Sequence, residues 1–391
     1  MSNYSFSALN LRNSVLYSNQ RQLSRIYNFC NATTSDPIAC VFGTTEPAEP
    51  PCFPEPPYDL SGTLLIVGGL GYIGVNTINT IFDKFTDLSF VVLDNLTSPN
   101  SDPSNIDIDI RGSSRYTFID GSMQDVPLVQ SILTDYNVSL ILHLAAYLPW
   151  QDASNSQFIQ NNVNGLDTFL ETCAPFCGID GSGGQIKNIM YQSSLLSIME
   201  SSFVNNSTNY TNTFPQPANI YTTTKAAAAD IASYYNRYGN RMPITMMFPS
   251  HIFGGSNQAP QDELLYYQSQ LTDPSYNPIL VRPYFSINFD NWISVYDIID
   301  AYILILLKGY DGSTYNLVNP NETFTYLDTA VKAIQQIKGP NVNVNDWLES
   351  TNQIGALDGQ AQGFIRPSNL PCFNPTITLQ SEIALMPNIQ S

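Results

Sequence analysis

A strand-like run that ends in a glycine triplet constrains the fold of this chain. Residues 64–74 read LLIVGGLGYIG, so an apolar run ends at Val67, and Gly68, Gly71 and Gly74 follow. In a strand–turn–helix unit the first glycine permits a tight turn, the second lets the backbone approach a pyrophosphate, and the third allows close helix packing. The amino end of that helix faces the phosphates with its partial positive charge. The stretch predicts a dinucleotide site; the alternative is a glycine-rich turn that holds no ligand.

A carboxylate ends the next apolar run, LSFVVLDN, which places Asp94 about twenty residues after the triplet. This spacing is typical of the acid that accepts hydrogen bonds from the hydroxyls of an adenosine ribose. Its negative charge would repel the additional phosphate of NADP. The sequence therefore predicts NAD as the cofactor.

Strand-like and helical patterns alternate from Gly62 onward. The runs TLLIVGG, LSFVVLDN, YTFID, LILHLAA and IKNIMYQSS read as strands, and GVNTINTIFDKF, VPLVQSILTDY and FIQNNVNGLDTFLETC read as helices. The alternation predicts right-handed βαβ units and an α/β fold with a Rossmann-type, doubly wound parallel sheet. We divide the chain into an N-terminal extension with a proline-rich linker (1–61), a Rossmann NAD-binding domain (62–255) and a smaller α/β substrate lobe with a tail (256–391). The lobe has helices near 297–308 and 326–338.

Charge and composition narrow the partners. With 15 basic and 33 acidic residues the formal net charge is −18, which argues against nucleic acid and anionic membrane surfaces. No apolar run is long enough for a membrane span, and the N-terminus lacks the pattern of a secretory signal. We expect a cytoplasmic protein by default, and the acidic, lysine-poor surface leaves a virion or extracellular location as the alternative.

The metal-ligating residues do not form a recognisable site. Six cysteines and two histidines lack the paired spacing of a zinc site, so no metal is expected. Unpaired thiols are the expected state of the cysteines. The alternative is that some of Cys30, Cys40 and Cys52 form disulfides that fasten the N-terminal arm.

The stretch YTTTK, from Tyr221 to Lys225, opens a helical run, and Ser194 ends the strand-like run before it. One helical turn sets the Lys225 ammonium beside the Tyr221 ring, where its positive charge, added to that of an oxidised nicotinamide, would lower the pKa of the phenol toward neutral pH. Ser194 would hydrogen-bond the substrate oxygen, and Ser193 beside it is a candidate substrate contact. These residues predict an acid/base site for a hydroxyl or keto substrate.

With these residues in place, the chain from about Thr63 to Leu317 resembles the extended short-chain dehydrogenase/reductase family. Within that family it is most similar to the NAD-dependent nucleotide-sugar 4-epimerases and dehydratases. The motifs that carry the resemblance are GGLGYIG, LDNLTS, FIDGSMQD, LILHLAA, NNVNG, IKNIMYQSS and PANIYTTTK. It implies a tyrosine that takes the proton of a sugar hydroxyl while NAD takes the hydride and returns it to the other face. Beyond the glycines it implies cofactor contacts from Tyr72, Ile73, Asp94, Asn95, Leu144, Ala145, Ala146, Asn161, Tyr221 and Lys225.

Two leucines depart from the family's dehydratases. Sugar 4,6-dehydratases carry an Asp-Glu pair directly after the catalytic serine or threonine, and this chain has Leu195 and Leu196 there. Elimination of water needs such proton-transferring groups. We therefore expect epimerase-like hydride transfer rather than dehydration.

The family's grip on a nucleotide diphosphate is also altered. Phe248 stands where the family has an arginine, His251 where it has an asparagine, and Asp290 where an arginine would clamp the diphosphate. His251 fits a substrate contact and a core histidine equally well. Arg282 or Arg366 could supply a replacement cation. Without any clamp, an uncharged alcohol would fit better than a nucleotide sugar.

Two functions remain open. The first is an NAD-dependent, sugar-modifying enzyme whose small-molecule substrate is a sugar or a nucleotide sugar. The second is a structural or assembly protein that keeps the fold with or without NAD, motivated by the proline-rich arm and the altered substrate site. In either case we expect a homodimer through FIQNNVNGLDTFLETC and TTTKAAAADIASYYNRY, or a larger assembly through the arm. Disorder is the alternative for the arm.

Overall fold

The computed structural model describes residues 56, 58–148, 151–179, 183–195, 197, 219–239, 241–257, 268–269, 271–272, 289–347 and 370–386. Of residues 289–291, 323–327 and 345 it describes the backbone alone. The predictions for most of the N-terminal extension and for Cys30, Cys40, Cys52, Leu196, Arg282 and Arg366 lie outside these residues. Residues Glu55–Ser391 form one compact unit that contains every described residue.

A wholly parallel, seven-stranded sheet forms the centre of this unit. Its strands are β1 (Gly62–Val67), β2 (Leu88–Asp94), β3 (Tyr116–Asp120), β4 (Leu140–His143), β5 (Asn188–Gln192), β6 (Ile244–Pro249) and β9 (Thr314–Leu317). They lie in the order β3-β2-β1-β4-β5-β6-β9. The order reverses between β1 and β4, the point at which doubly wound sheets bind ligands beyond the strands' carboxyl ends. The predicted Rossmann-type fold is confirmed.

Helices follow the strands as the alternation predicts. They are α1 (Tyr72–Ile81), α2 (Ile108–Arg111), α3 (Val126–Asp135), α4 (Asn155–Phe158), α5 (Gly165–Cys173) and α6 (Ile220–Arg237). A π-helical segment, Ile159–Asn164, joins α4 to α5. Apolar faces of α3, α5 and α6 pack on the sheet in one core, which includes Ile132, Phe169 and Ala228 beside Ile141 and Ile189. None of the helices in the described ranges is long and apolar enough to cross a membrane.

A smaller lobe follows β6. Its strands β7 (His251–Phe253), β8 (Phe289–Ser294) and β10 (Thr323–Thr325) form a second sheet in the order β10-β8-β7. Its helices are α7 (Val295–Lys308), α8 (Tyr326–Lys338) and α9 (Leu379–Ile383), so the two predicted helices are confirmed. α7 packs against α1. The strand β9 returns from this part of the chain to the main sheet, and the domain limit at residue 255 stays a prediction.

Buried carboxylates fasten the last described stretch of the chain to the smaller lobe. Asp297 accepts hydrogen bonds from the backbone N–H groups of Thr376 (3.2 Å) and Ile377 (3.1 Å). Glu322 accepts one from Leu379 N (2.7 Å). Both carboxylates are buried, so the N–H groups compensate part of the cost of removing them from water.

The cysteines are not all unpaired. Cys173 and Cys177 are free thiols, and burial raises the pKa of both, which makes them poor nucleophiles. Cys372 is disulfide-bonded. The expectation of unpaired thiols is therefore wrong for Cys372, whose partner lies outside the described residues.

Candidate active site

The glycine turn after β1 contains two glycines that the fold itself requires. Gly68 has φ +75°, and a Cβ there would lie 2.7 Å from the backbone of Ala145. A Cβ at Gly74 would lie 2.6 Å from the backbone of Gly69, on the preceding turn. Side chains at either position would collide with main-chain atoms, which cannot move aside cheaply.

Gly71 is different, because the fold does not require a glycine there. Its φ is −69°, and the nearest atom to an added Cβ is Gly68 O at 3.4 Å. The space over Gly71 is therefore open, at the residue that caps the amino end of α1. Open space beside exposed N–H groups at a helix start suits a pyrophosphate. These residues fit the predicted dinucleotide.

Asp94 is fastened to the same turn. Its carboxylate is 7% exposed; Oδ2 accepts a hydrogen bond from Leu70 N (3.0 Å) and Oδ1 accepts one from Leu96 N (2.9 Å). Burial raises the pKa of this carboxyl, against the effect of those two backbone N–H groups. Asn95 beside it is exposed, and its Oδ1 accepts a hydrogen bond from the Thr97 hydroxyl (2.8 Å).

The other predicted cofactor residues surround this turn. Leu144 N donates to Val67 O (2.9 Å), so the loop after β4, with Ala145 and Ala146, runs alongside the end of β1. Ile73 is half-buried in the first turn of α1. Tyr72 precedes it, and its hydroxyl donates to Gly254 O (2.5 Å) in the smaller lobe.

The π-helical segment holds a residue that the sequence did not single out. Asn162 is 4% exposed; its Oδ1 accepts from Tyr147 N (2.6 Å), and its Nδ2 donates to Tyr147 O (3.1 Å) and to the Thr224 hydroxyl (3.1 Å). The predicted contact, Asn161, is half-buried and donates to Asn162 Oδ1 (3.1 Å). Asn162 therefore joins the loop after β4 to α6. Its only signal in the sequence was the NNVNG motif.

The three predicted catalytic residues lie together. α6 begins after Asn219, whose side chain caps Thr222 N, so Tyr221 and Lys225 lie in its first two turns. The Ser194 side chain lies close enough to the Tyr221 hydroxyl to lower the pKa of the phenol. Lys225 Nζ donates to Gln192 O (2.8 Å) at the end of β5. Ser194, Tyr221 and Lys225 are at most 9% exposed.

Burial dominates the protonation of this group, and the predicted joint effect of Lys225 and an oxidised nicotinamide stays a prediction. Burial raises the pKa of Tyr221 to about 12, and the nearby Ser194 side chain acts in the opposite direction. Burial also lowers the pKa of Lys225 to about 7. The protein's own groups therefore do not supply the predicted lowering of the phenol pKa. Desolvation of both groups outweighs the expected charge effect.

The two candidate substrate contacts, Ser193 and His251, both interact with other residues of the protein. The Ser193 hydroxyl donates to Lys225 O (3.2 Å), which ties β5 to α6. His251 is half-buried, and its ring centroid lies 4.1 Å from that of Trp292, its neighbour across β7 and β8. Both substrate roles stay predictions. Phe248 and Leu195 are buried in the main core, and of Asp290 only the backbone is described, paired with Phe324 in the second sheet.

A further polar group at this edge had no signal in the sequence. Ser250 directly follows β6, and its hydroxyl is buried with no hydrogen-bond partner among the described residues. The neighbouring Pro249 O accepts a hydrogen bond from Leu195 N (2.9 Å), so Ser250 lies close to the strand end that carries Ser194.

Comparisons with known proteins agree with this geometry. The sequence model of the NAD dependent epimerase/dehydratase family matches residues 64–318. A dTDP-D-glucose 4,6-dehydratase of Dictyostelium discoideum is 25% identical over 288 residues, a match that covers 69% of this chain and 61% of that protein. The crystal structure of a dTDP-glucose 4,6-dehydratase from Bacillus anthracis in complex with NAD superimposes with a TM-score of 0.66, at 21% identity, over 83% of this chain and 95% of that one.

A UDP-glucuronic acid 4-epimerase from Bacillus cereus in complex with NAD superimposes with a TM-score of 0.62, at 18% identity, over 82% of this chain and 96% of that one. At these identities the solved structures support the fold. The family match spans more than half of the sequence and includes the glycine turn, Asp94, Ser194, Tyr221 and Lys225. The chain therefore belongs to the NAD dependent epimerase/dehydratase family.

Proposed function

We propose that this protein binds NAD and inverts a hydroxyl-bearing carbon of a nucleotide sugar, with Tyr221 as the acid/base. One observation carries the proposal: Ser194, Tyr221 and Lys225 are buried beside one another, with Tyr221 one helical turn from Lys225 and Ser194 close enough to lower the pKa of the Tyr221 phenol. Proton transfer to and from a sugar oxygen needs positioned groups that donate and accept protons. Here a phenol, a hydroxyl and an amine lie together at the carboxyl edge of the sheet.

The glycine turn and Asp94 would hold the cofactor. Open space over Gly71 accommodates a pyrophosphate, and Asp94 lies at the end of β2, where an adenosine ribose would sit. When bound, NAD supplies a hydride acceptor that can return the hydride to the same sugar. The chain itself supplies binding, orientation and the proton.

Tyr221 holds or moves the proton at its hydroxyl oxygen. Its raised pKa keeps the phenol protonated at neutral pH, which suits donation to a keto oxygen. The nearby Ser194 side chain lowers that pKa and favours the reverse step, removal of a proton from a sugar hydroxyl. Lys225, with a pKa of about 7, can change its charge at neutral pH beside them.

The residue after Ser194 favours inversion over loss of water. Leu195 is 2% exposed and belongs to the main core, so it offers no proton donor or acceptor to a substrate. The Dictyostelium and Bacillus anthracis relatives are named as dehydratases, and the sequence resemblance gives such enzymes an acidic pair at this place. A leucine cannot perform that proton transfer.

Two measurements test the proposal. The purified protein is denatured and any released nucleotide is identified by mass spectrometry. The native protein is then incubated with UDP-glucose, UDP-N-acetylglucosamine and dTDP-glucose, and each product is analysed by mass and by NMR. We expect bound NAD and a product of unchanged mass with one inverted carbon. A product that has lost water would contradict the epimerase assignment.

Matched variants separate binding from chemistry. Tyr221→Phe should keep NAD and lose turnover by ~100-fold or more, the usual contribution of a general acid/base. Gly71→Ala should fold, because its Cβ meets no atom closer than 3.4 Å, yet bind NAD at least ~10-fold more weakly. Full turnover by Tyr221→Phe would exclude Tyr221 as the acid/base. Absence of NAD together with no uptake on addition would overturn the proposal as a whole.

A further inference from the structure

The smaller lobe reaches the glycine turn through one short loop. Residues 254–257, here called the GGSN loop, directly follow β7, the strand that carries His251. Gly254, Gly255 and Asn257 all have positive φ, of +81°, +80° and +60°. Glycine and asparagine adopt this backbone at least cost, so the loop has a definite shape.

Side chains from α1 fasten the start of this loop. Asn76 Nδ2 donates to Ser256 O (2.6 Å), and Ser256 N donates back to Asn76 Oδ1 (2.9 Å). The Tyr72 hydroxyl donates to Gly254 O (2.5 Å). A Cβ at Gly255 would lie 2.8 Å from Val295 Cγ1. The loop is therefore packed closely against α1 and α7.

The side chain of Asn257 uses both of its polar atoms. Its Nδ2 donates to Leu70 O (3.3 Å), inside the glycine turn, and its Oδ1 accepts from Asn105 Nδ2 (3.0 Å). Its backbone carbonyl accepts from Asn100 Nδ2 (2.8 Å). Asn257 thus joins the glycine turn to the loop after β2, which begins at Asn95.

The bond to Leu70 O bears on the last peptide of the turn before α1. Leu70 C=O and Gly71 N–H belong to one planar peptide group, in which the two bonds point in opposite directions. The Gly71 N–H donates to Gly68 O (3.3 Å) within the turn, so a donor that holds the carbonyl on the other side also supports the bond that closes the turn. Leu70 N is held separately, by Asp94 Oδ2 (3.0 Å).

We infer that Asn257 is a positioning residue that holds the Leu70–Gly71 peptide, and with it the turn that leads into the amino end of α1, in the shape that would receive the pyrophosphate of NAD. Through it, the affinity for NAD depends on the smaller lobe. The inference rests on the proposed function in so far as the chain binds NAD. Asn257 acts through the peptide and needs no contact with the cofactor.

Two variants of Asn257 test this inference. Asn257→Gly keeps the positive φ and removes both side-chain bonds, and Asn257→Asp keeps an acceptor for Asn105 but cannot donate to Leu70 O. Each should raise the dissociation constant for NAD about five- to tenfold, the effect of one hydrogen bond. The dissociation constant for ADP-ribose should rise by the same factor, because ADP-ribose shares the pyrophosphate of NAD and lacks the nicotinamide. Titration calorimetry on cofactor-free protein measures both constants.

Asn79→Ala is the matched control. Asn79 is exposed on α1 and bonds Asn105 O and Asp107 N (both 3.0 Å), so its loss disturbs the same region without touching Leu70. The dissociation constant of this variant for NAD should stay within twofold of that of the unsubstituted protein. Equal constants for Asn257→Gly and the unsubstituted protein would overturn the inference alone, as would equal weakening by Asn79→Ala. Failure of the unsubstituted protein to bind NAD would overturn the proposed function as well.

Discussion

Lys225 carries a charge that the fold removes from water. Its side chain is 4% exposed, and burial lowers its pKa from the ordinary 10.5 to about 7. Its ammonium donates to Gln192 O and lies 5.5 Å from the centroid of the Tyr191 ring. Neither contact supplies a full negative charge, so the charged form of Lys225 costs free energy in the folded protein. A buried, uncompensated charge of this kind lowers the stability of the folded protein.

We expect Lys225→Met to stabilise the cofactor-free protein. Between pH 7 and 10.5 the unfolded chain binds more protons at Lys225 than the folded one, so this group makes the free energy of unfolding rise with pH. The advantage of the variant should therefore be greatest at and below about pH 7 and shrink toward pH 10. Urea unfolding of both proteins from about pH 6 to pH 9 measures it. A difference that does not change with pH would contradict the assignment of the lowered pKa to Lys225.

At the residue scale, the sequence predicted which side chains meet and not how they titrate. Ser194, Tyr221 and Lys225 lie together because a strand end and the first turns of a helix bring them there. Their pKa values depend on how completely the surrounding core excludes water, which no local pattern records. The same reason explains why Ser250, a buried hydroxyl beside the site, was not identified.

The π-helical segment shows how an element can be shaped by one long-range contact. The sequence indicated a single helix over FIQNNVNGLDTFLETC, whereas the structure has α4, the π-helical segment Ile159–Asn164 and α5. An additional residue in a helical turn costs regular hydrogen bonds, and such segments occur mostly at functional sites. Here Asn162 points its amide at Tyr147 and Thr224, and the Thr224 hydroxyl donates to Tyr221 O (2.9 Å). An apolar periodicity does not contain that information.

Asn162→Ala should therefore weaken both stability and catalysis. The change leaves Tyr147 N–H and C=O without their side-chain partner in a half-buried loop, at a cost of about 2 kcal/mol or more. Asn164→Ala is the matched control: Asn164 is exposed in the same segment, and among the described residues its side chain bonds only Gln160 (3.0 Å), so its loss should change the free energy of unfolding by at most about 0.5 kcal/mol. Urea unfolding and turnover are measured for both. Equal stability of the two variants would show that the Asn162 bonds do not hold the segment.

At the scale of the whole molecule, the parallel sheet was predictable because strands and helices alternate along the chain. The return of β9 to the sheet after the smaller lobe was not, since its four residues resemble any short half-buried run. The sequence also did not predict where the compact unit begins. Tyr58 lies in the predicted extension, yet it is 5% exposed, its ring centroid lies 4.9 Å from that of Phe85, and its N–H donates to Lys84 O (2.7 Å).

Two truncations test where the folded unit begins. With a reducing agent present, so that the disulfide of Cys372 is broken in every chain compared, a chain that starts at Glu55 keeps Tyr58 and should unfold at the same temperature as the full chain and bind NAD equally well. A chain that starts at Gly62 loses the buried ring and should be less stable by about 3 kcal/mol, as for removal of other large buried side chains. Tyr58→Ala in the chain that starts at Glu55 should reproduce the loss. Sedimentation of the first truncation also tests the assembly hypothesis: an unchanged oligomeric state would exclude a role of the arm in assembly. Equal stability of the two truncations would place the start of the folded unit after Ser61.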